Sequence, residues 1–342
     1  MNIGRFTLSP VPALIVGIVA ISFSAIFIKW SDAPASILGM YRLLITVLLM
    51  APWMGRIVRR EVRKLRPRDG GLIFLSGLFL GLHFLFWIES LRHTSVASSM
   101  IVLSLEPVFV AIGAYALFRE RTGGTALLGM GMALVGTVLI GWGDIGLSKK
   151  AIYGDWLSLL GTLAVSVHML IGQRICAYIS AYVYSFLVFA TAAGVLAVYN
   201  LAAGIEMVGY PPREWGIFLL LAVVPTVFGH LLFNSLLRRL GATTVAMSIL
   251  GEPVGAIILA YLLLGEGITG YQGIGGLLTL AGLALFLKTK RSGPAVMGRC
   301  RRFRRPLRLS QTRDQSPASY FRQSSLSSAI SYGRRPVSRS NS

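Results

Sequence analysis

Ten stretches of predominantly apolar residues fill residues 11 to 287 of this 342-residue chain. Each is about 20 residues long, enough to cross a hydrocarbon core of roughly 30 Å. They fall at 11–30, 34–53, 71–90, 95–117, 123–142, 153–172, 180–203, 215–236, 242–264 and 269–287, with short connections between them. Charged residues make up 13% of the chain and apolar residues 54%, and the mean hydropathy is +0.69. Soluble domains run nearer a quarter charged, because polar residues must cover the surface that burial leaves. An ordinary water-soluble enzyme is excluded on this balance. Membrane strands would show ten-residue alternation, which is missing, so a β-barrel is excluded too. Gly, Ser and Pro interrupt several stretches, as in packed membrane helices whose backbones approach closely. The expected fold class is an all-α polytopic membrane protein with ten transmembrane helices.

The formal charge of +20 sits mostly at one end: Lys288 to Ser342 holds fourteen Lys and Arg against one acid, Asp314, and the rest of the chain nineteen against twelve. In the short loops, Lys and Arg mark the cytoplasmic side. Twelve of them (Arg56, Arg59, Arg60, Arg63, Lys64, Arg66, Arg68, Arg119, Arg121, Arg174, Arg238 and Arg239) fall on one side, against Arg92, Lys149, Lys150 and Arg213 on the other. The N-terminus is therefore expected inside, and an even number of spans puts the C-terminus inside as well. Residues 1–10 form a short cytoplasmic segment, and the first apolar run reads as a retained span in the cell (inner) membrane, with no small-residue cleavage site before it. Residues 289–342, rich in Ser, Arg and Pro, are expected to be a disordered basic tail. Arg299, Arg301, Arg302, Arg304 and Arg305 are placed to bind anionic lipid headgroups, each contributing about 1 kcal/mol near a membrane surface. A docking role and a tail without function stay open, and no nucleic-acid partner is expected. Cys176 and Cys300 stand alone in different kinds of segment, so neither a disulfide framework nor a Cys-rich metal site is expected.

The chain also repeats itself. Residues 91–139 align without gaps on 237–285, an offset of 146, with 15 of 49 positions identical. The shared pattern runs Glu106-Pro107-Val108, Ala114-Tyr115 and Glu120 in one copy, and Glu252-Pro253-Val254, Ala260-Tyr261 and Glu266 in the other. A weaker echo at an offset of 144 matches Gly17, Ala20 and Ser22 to Gly161, Ala164 and Ser166. Each half, 11–143 and 152–288, then holds five spans, and an odd number inverts one half relative to the other. The loops agree: Arg119-Glu120-Arg121, expected inside, becomes Gly265-Glu266-Gly267, expected outside. Inverted repeats about a pseudo-two-fold axis in the membrane plane are a recurring plan of secondary transporters, with the substrate site near the midplane.

On these residues the sequence resembles the drug/metabolite transporter superfamily, in particular its ten-helix group built from two EamA domains. The stretches that carry the resemblance are Leu91-Arg92-His93-Thr94-Ser95-Val96-Ala97 leading to Ser104-Leu105-Glu106-Pro107-Val108-Phe109, and Leu240-Gly241-Ala242 leading to Gly251-Glu252-Pro253-Val254. It covers roughly residues 11 to 287. The resemblance implies cytoplasmic termini and efflux of a small metabolite, amino acids being the cargo ascribed to many members, although substrates vary widely. The long basic tail is not part of the family pattern.

Glu106 and Glu252 lie about ten residues into their spans, roughly 15 Å deep at 1.5 Å per residue. An ionisable group at the midplane is costly, and it marks a functional site by default. Three readings are open for each: the carboxyl mends the kink made by Pro107 or Pro253, it lines a cavity or gate, or it binds a proton or substrate. Arg42, in the middle of span two, either pairs with a carboxylate such as Glu106, the expected arrangement, or offers a bidentate site to a substrate carboxylate or phosphate. His83 and His168 are further cavity or coupling candidates, with His230 a third histidine able to titrate near neutral pH. Trp87 can line a cavity. Tyr115 and Tyr261 fit interfacial belts or gates. Gly129, Gly136, Gly275 and Gly282 suit close packing of spans five and ten, at the contact between halves or in a homodimer.

GxxxxGK[ST], HExxH, GxSxG and paired Cys motifs are absent, and no cofactor or metal is expected. The function that follows is a secondary transporter for a small organic solute, working by alternating access and not an enzyme. Two alternatives stand beside it, a polytopic membrane enzyme acting on a lipid-linked substrate and a membrane anchor with a basic docking tail.

Overall fold

The computed structural model describes residues 10–63, 65–142, 148–265 and 267–291. Residues 1–9, Glu266 and the basic run from Arg299 to Arg305 lie outside the described residues.

The first two spans are α1 (Pro10–Lys29) and α2 (Ala35–Val62), followed by α3 (Pro67–Ser90). Span four is split into α4 (Val96–Leu103) and α5 (Glu106–Phe118). Then come α6 (Gly124–Ile140), α7 (Lys149–Ile175) and α8 (Ala181–Ala202). Span eight is composite: α9 (Pro212–Leu221), a π-helical segment (Ala222–Leu231) and α10 (Leu232–Leu240). Span nine splits into α11 (Ala242–Ile249) and α12 (Glu252–Leu264), and α13 (Gly270–Arg291) is span ten. No strand occurs among the described residues, and nine of the spans are long and apolar enough to cross a membrane. The tenth, α6, has 17 residues, about 25 Å of helix. The protein is a multi-pass membrane protein.

Local chemistry sets the helix starts. Ser95 and Ser148 cap α4 and α7 by accepting from the backbone N–H groups of Ser98 and Ala151, each cap contributing about 1 kcal/mol. Pro107 and Pro253 lie in the first turn of α5 and α12. A proline there cannot donate to the carbonyl four residues back, and its fixed φ suits a new first turn. The two prolines therefore end one helix and begin another, where a kink in a continuous helix was expected. Residues 104–105 and 250–251 separate the half-helices at the same point of the repeat. The correspondence continues to the far ends, where α5 and α12 stop on left-handed residues, Arg119 at φ 56° and Gly265 at φ 68°.

The seam between α6 and α13 is built from the repeated glycines. A Cβ at Gly129 would lie 2.7 Å from the Gly282 carbonyl oxygen, and one at Gly136 would lie 2.6 Å from that of Gly275. Each glycine thus faces the repeat mate of the other, so a two-fold relation crosses the seam. The remaining core packs α2 and α3 against α8 and α9 through Leu38, Phe84, Phe189 and Phe218, all fully buried.

Loops of alternate spans meet at two ends of the bundle. At one end the Ser31 hydroxyl and the Asp32 N–H both donate to Glu214, and the Thr94 and Ser98 hydroxyls donate to Asp155 at 2.9 and 2.8 Å. At the other, Gln173 donates to Glu120 at 2.7 Å and accepts from the Ala242 N–H at 2.6 Å, while the Ser180 N–H donates to Glu61.

Candidate functional site

The broken helices bring Glu106 and Glu252 together. Both carboxyls begin a half-helix, at 3% and 5% exposure, and both line two small adjoining cavities. The smaller, about 10 Å³, is lined by ten residues that form five repeat pairs: Met100 with Ala246, Leu103 with Ile249, Ser104 with Leu250, Glu106 with Glu252, and Pro107 with Pro253. A cavity built from such pairs lies on the pseudo-two-fold axis. The larger, about 30 Å³, adds Ile21 with Val165 and Trp87 with Phe233, again repeat mates, together with Ser24, His83, Met169 and His230. Thirty cubic ångströms of this kind hold about two waters. In this conformation the site is closed.

Around the axis the symmetry is broken by polar groups. Arg42 of α2 is fully buried. Its Nε donates to the Thr226 hydroxyl at 3.1 Å and its Nη1 to the Ser24 hydroxyl at 3.3 Å, while the guanidinium carbon lies 4.2 Å above the centre of the Phe84 ring. The ion pairs found among the described residues, Arg92 with Glu89 and Arg213 with Asp32, are both solvent-accessible, and His93 Nε2 is hydrogen-bonded to Glu89 at 3.1 Å. The expected Arg42–Glu106 pair is not among them. Hydroxyls and an aromatic face take its place because α1 and the π-helical segment, rather than α5, supply the hydrogen-bonding partners of α2 at this level. Thr226 stands inside that π-helical segment, and its hydroxyl also donates to the Leu221 carbonyl at 2.7 Å. Pro225 removes a backbone donor one residue earlier. Single π turns inside α-helices are frequent at functional sites.

His83 and Trp87 stack as parallel plates, 5.9 Å apart with planes 3° from each other, and His83 Nδ1 contacts the Gly161 carbonyl oxygen at 3.0 Å. In the neutral ring this hydrogen bond puts the proton on Nδ1 and leaves Nε2 an acceptor. Phe84 and His230, repeat mates, meet edge to face at 5.2 Å.

Among the described residues, four buried side-chain polar atoms have no hydrogen-bond partner: Arg42 Nη2, Trp87 Nε1, Glu106 Oε1 and Asn200 Oδ1. Three of the four are in or beside the axial cavity. At its helix break Glu106 thus holds one carboxyl oxygen buried and without a hydrogen-bond partner.

The remaining sequence candidates lie elsewhere. His168 is absent from the cavity wall; its Nδ1 contacts the Ser76 hydroxyl at 2.9 Å in a cluster with Tyr184. Tyr115 and Tyr261 are 47% and 53% exposed and line neither cavity, a position that suits the perimeter of the bundle and not a gate at the axis. Sequence reasoning missed Ser24, Thr226 and Phe233. For Phe233 the signal was available, because the offset of 146 places it opposite Trp87. For Thr226 the only hint was Pro225 in the middle of an apolar run.

Comparison with known proteins agrees with this architecture. A protein of Archaeoglobus fulgidus named "Uncharacterized transporter" is 26% identical over 80% of this chain and 94% of its own length. "Uncharacterized transporter YdfC" of Bacillus subtilis is 25% identical over 82% of this chain and 90% of its own. A solved structure described as "Crystal structure of protein" shares the fold at a TM-score of 0.68 with 18% identity, covering 83% of this chain and 98% of that one. The model of the EamA-like transporter family matches residues 8–142 and 152–288. With both matched stretches carrying one copy of the Glu-Pro break that builds the axial cavity, the chain belongs to the EamA-like transporter family.

Proposed function

We propose that the protein is a secondary exporter of a small zwitterionic metabolite, an amino acid or a close relative, working by alternating access around the axial cavity. The observation that carries this reading is the set of unpaired groups at one buried place. Arg42 Nη2 and Trp87 Nε1 are donors without acceptors, and Glu106 Oε1 is an acceptor without a donor. The complement of a cationic donor beside an anionic acceptor is a molecule with one carboxylate and one ammonium group. Buried polar groups left unpaired cost about 1–3 kcal/mol each, and a bound zwitterion recovers that cost. His83, Trp87 and Phe233 supply flat aromatic walls for the rest of the solute.

The cavity must widen to admit such a solute, and the hydrogen bonds that close both ends of the bundle are the contacts to be exchanged. The end rich in Lys and Arg is the cytoplasmic one in this reading, which puts both termini inside and the protein in the cell membrane. The basic tail with Arg299, Arg301, Arg302, Arg304 and Arg305 holds to anionic lipid.

The test is uptake of an equimolar mixture of the twenty amino acids into proteoliposomes, with and without an imposed pH gradient, for wild type, Glu106→Gln and Glu252→Gln. Accumulation by wild type that falls at least tenfold in Glu106→Gln is expected. Equal transport by wild type and both variants would overturn the assignment of the site.

A further inference from the structure

Arg42 and the π-helical segment break the two-fold pattern together, and neither has a counterpart in the repeat. The offsets of 144 to 146 place Phe186, Leu187 or Val188 opposite Arg42, and the offset of 146 places Leu80 opposite Thr226. Leu80 stands inside α3, which runs as an unbroken α-helix from Pro67 to Ser90. A regular helix therefore serves at this level in one half, and the π turn belongs to the element that meets the guanidinium. In an α-helix a threonine hydroxyl bonds back to the carbonyl three or four residues earlier, whereas the Thr226 hydroxyl donates to Leu221, five residues back, at 2.7 Å. With its one proton spent there, the oxygen can only accept, and it takes the Arg42 Nε–H at 3.1 Å. Thr46 ties the two elements at the same level: its hydroxyl contacts the carbonyl oxygen of Arg42 at 2.7 Å and that of Ala222, where the π segment begins, at 3.2 Å. Arg42, Thr46 and Thr226 are all fully buried.

The Ser24 hydroxyl accepts from Nη1 at 3.3 Å and the Phe84 ring lies against the plane, 4.2 Å from the guanidinium carbon. A guanidinium held at Nε, at Nη1 and on one face keeps one orientation. Its remaining nitrogen, Nη2, is buried without a partner. Ser24 lines the larger cavity, as does His230, whose ring meets Phe84 edge to face, so Arg42 stands one side chain behind the cavity wall. We propose that Thr226, presented by the π turn, is the positioning residue that holds Arg42 with Nη2 free, and that the site is thereby selective for solutes bearing a carboxylate. This rests on the transporter reading and names the residue that sets the carboxylate half of its specificity. A charged, planar donor fixed in place favours an anionic oxygen, and the neutral amide of the same shape brings no charge to offset the buried guanidinium. Lysine would not serve, because an ammonium on a flexible stem lacks the rigid fork that Thr226 and Ser24 hold.

The experiment is solid-state NMR of the full chain, isotope-labelled at arginine, in nanodiscs. The Arg42 Nε signal is identified by its loss in Arg42→Lys and is followed during titration with acetate and, separately, with acetamide, the uncharged isostere. In wild type, acetate is expected to move the signal to saturation and acetamide to leave it in place. Valine keeps the shape of Thr226 without the hydroxyl, and serine keeps the hydroxyl without the methyl, so packing and hydrogen bonding separate. Thr226→Val is expected to shift the Nε signal before any addition and to weaken acetate binding about tenfold or more, the weight of one hydrogen bond to a charged group. Thr226→Ser restores both, and Thr226→Ala reads the same loss should valine not be accommodated. Acetate bound equally well by wild type, Thr226→Val and Thr226→Ala would overturn the proposal, as would acetamide acting like acetate or a wild type on which acetate has no effect. The titration involves no transport: acetate binding without amino-acid uptake would remove the transporter reading alone, and uptake without an acetate effect would remove this assignment alone.

Discussion

Arg119 holds φ at 56°, a left-handed conformation that costs a residue with a Cβ about 1 kcal/mol or more, and it stands where the second repeat has Gly265. Arg119→Gly is accordingly expected to raise the stability by about 1 kcal/mol, visible as a higher midpoint in thermal unfolding in detergent; a lower midpoint would mean that the arginine side chain makes contacts worth more than the backbone cost. At this scale the sequence was informative where a residue was chemically out of place. Glu106, Glu252 and Arg42 declared themselves because ionised groups do not enter hydrocarbon without a reason, and the structure gathers the two carboxyls in one cavity with Arg42 close behind. Partners were not legible. Ser24 and Thr226 are ordinary membrane-helix residues whose spacing carries no record of the helix they will face, so the guanidinium was assigned to a carboxylate and is held by hydroxyls. His168 was grouped with the cavity for its chemistry alone, and its rotation about α7 sends it to Ser76 instead.

Between α6 and α13 the contact depends on what glycine lacks. Gly136→Ala would put a methyl 2.5 Å from the Thr279 backbone nitrogen and 2.6 Å from the Gly275 oxygen, whereas at Gly131, on the same helix, nothing lies within 4 Å. Gly136→Ala is expected to cost about 2–3 kcal/mol, within the range for overpacking, while Gly131→Ala gains up to about 1 kcal/mol from helix propensity. Comparing the two by thermal unfolding isolates packing from propensity, and equal effects would deny the seam. The helices were legible from apolar length, since a span must be about 20 residues whatever its neighbours. Their ends were less so. Helix α2 runs to Val62, where the apolar stretch stops at residue 53, and it carries Arg59 and Arg60 in its last turn; helical hydrogen bonding continues after hydrophobicity has ended. The π-helical segment had no pattern at all to announce it, because its hydrogen bonds change while its composition does not.

The molecule as a whole is two halves closed at both ends, and the closures are polar while the cavity between them is small. Asp155 accepts from both Thr94 and Ser98, so Asp155→Ala removes two hydrogen bonds from one end of the bundle and none from the other. In a background with Cys176 and Cys300 replaced, Leu103→Cys, which lines the cavity, is expected to react several-fold faster with a membrane-impermeant maleimide when Asp155→Ala is added. An unchanged rate would show that this end opens elsewhere. Symmetry in the sequence predicted the axis, and the five residue pairs around the smaller cavity lie on it; what it could not predict was the polar inequality on either side. That inequality has an electrical consequence. A guanidinium and two carboxyls are buried in or beside one cavity, and their summed charge changes by one unit with each proton the carboxyls gain or lose. Moving a net charge across a membrane costs about 2.3 kcal/mol per 100 mV, so the number of protons on these two carboxyls decides whether a membrane voltage acts on any movement of the site between faces.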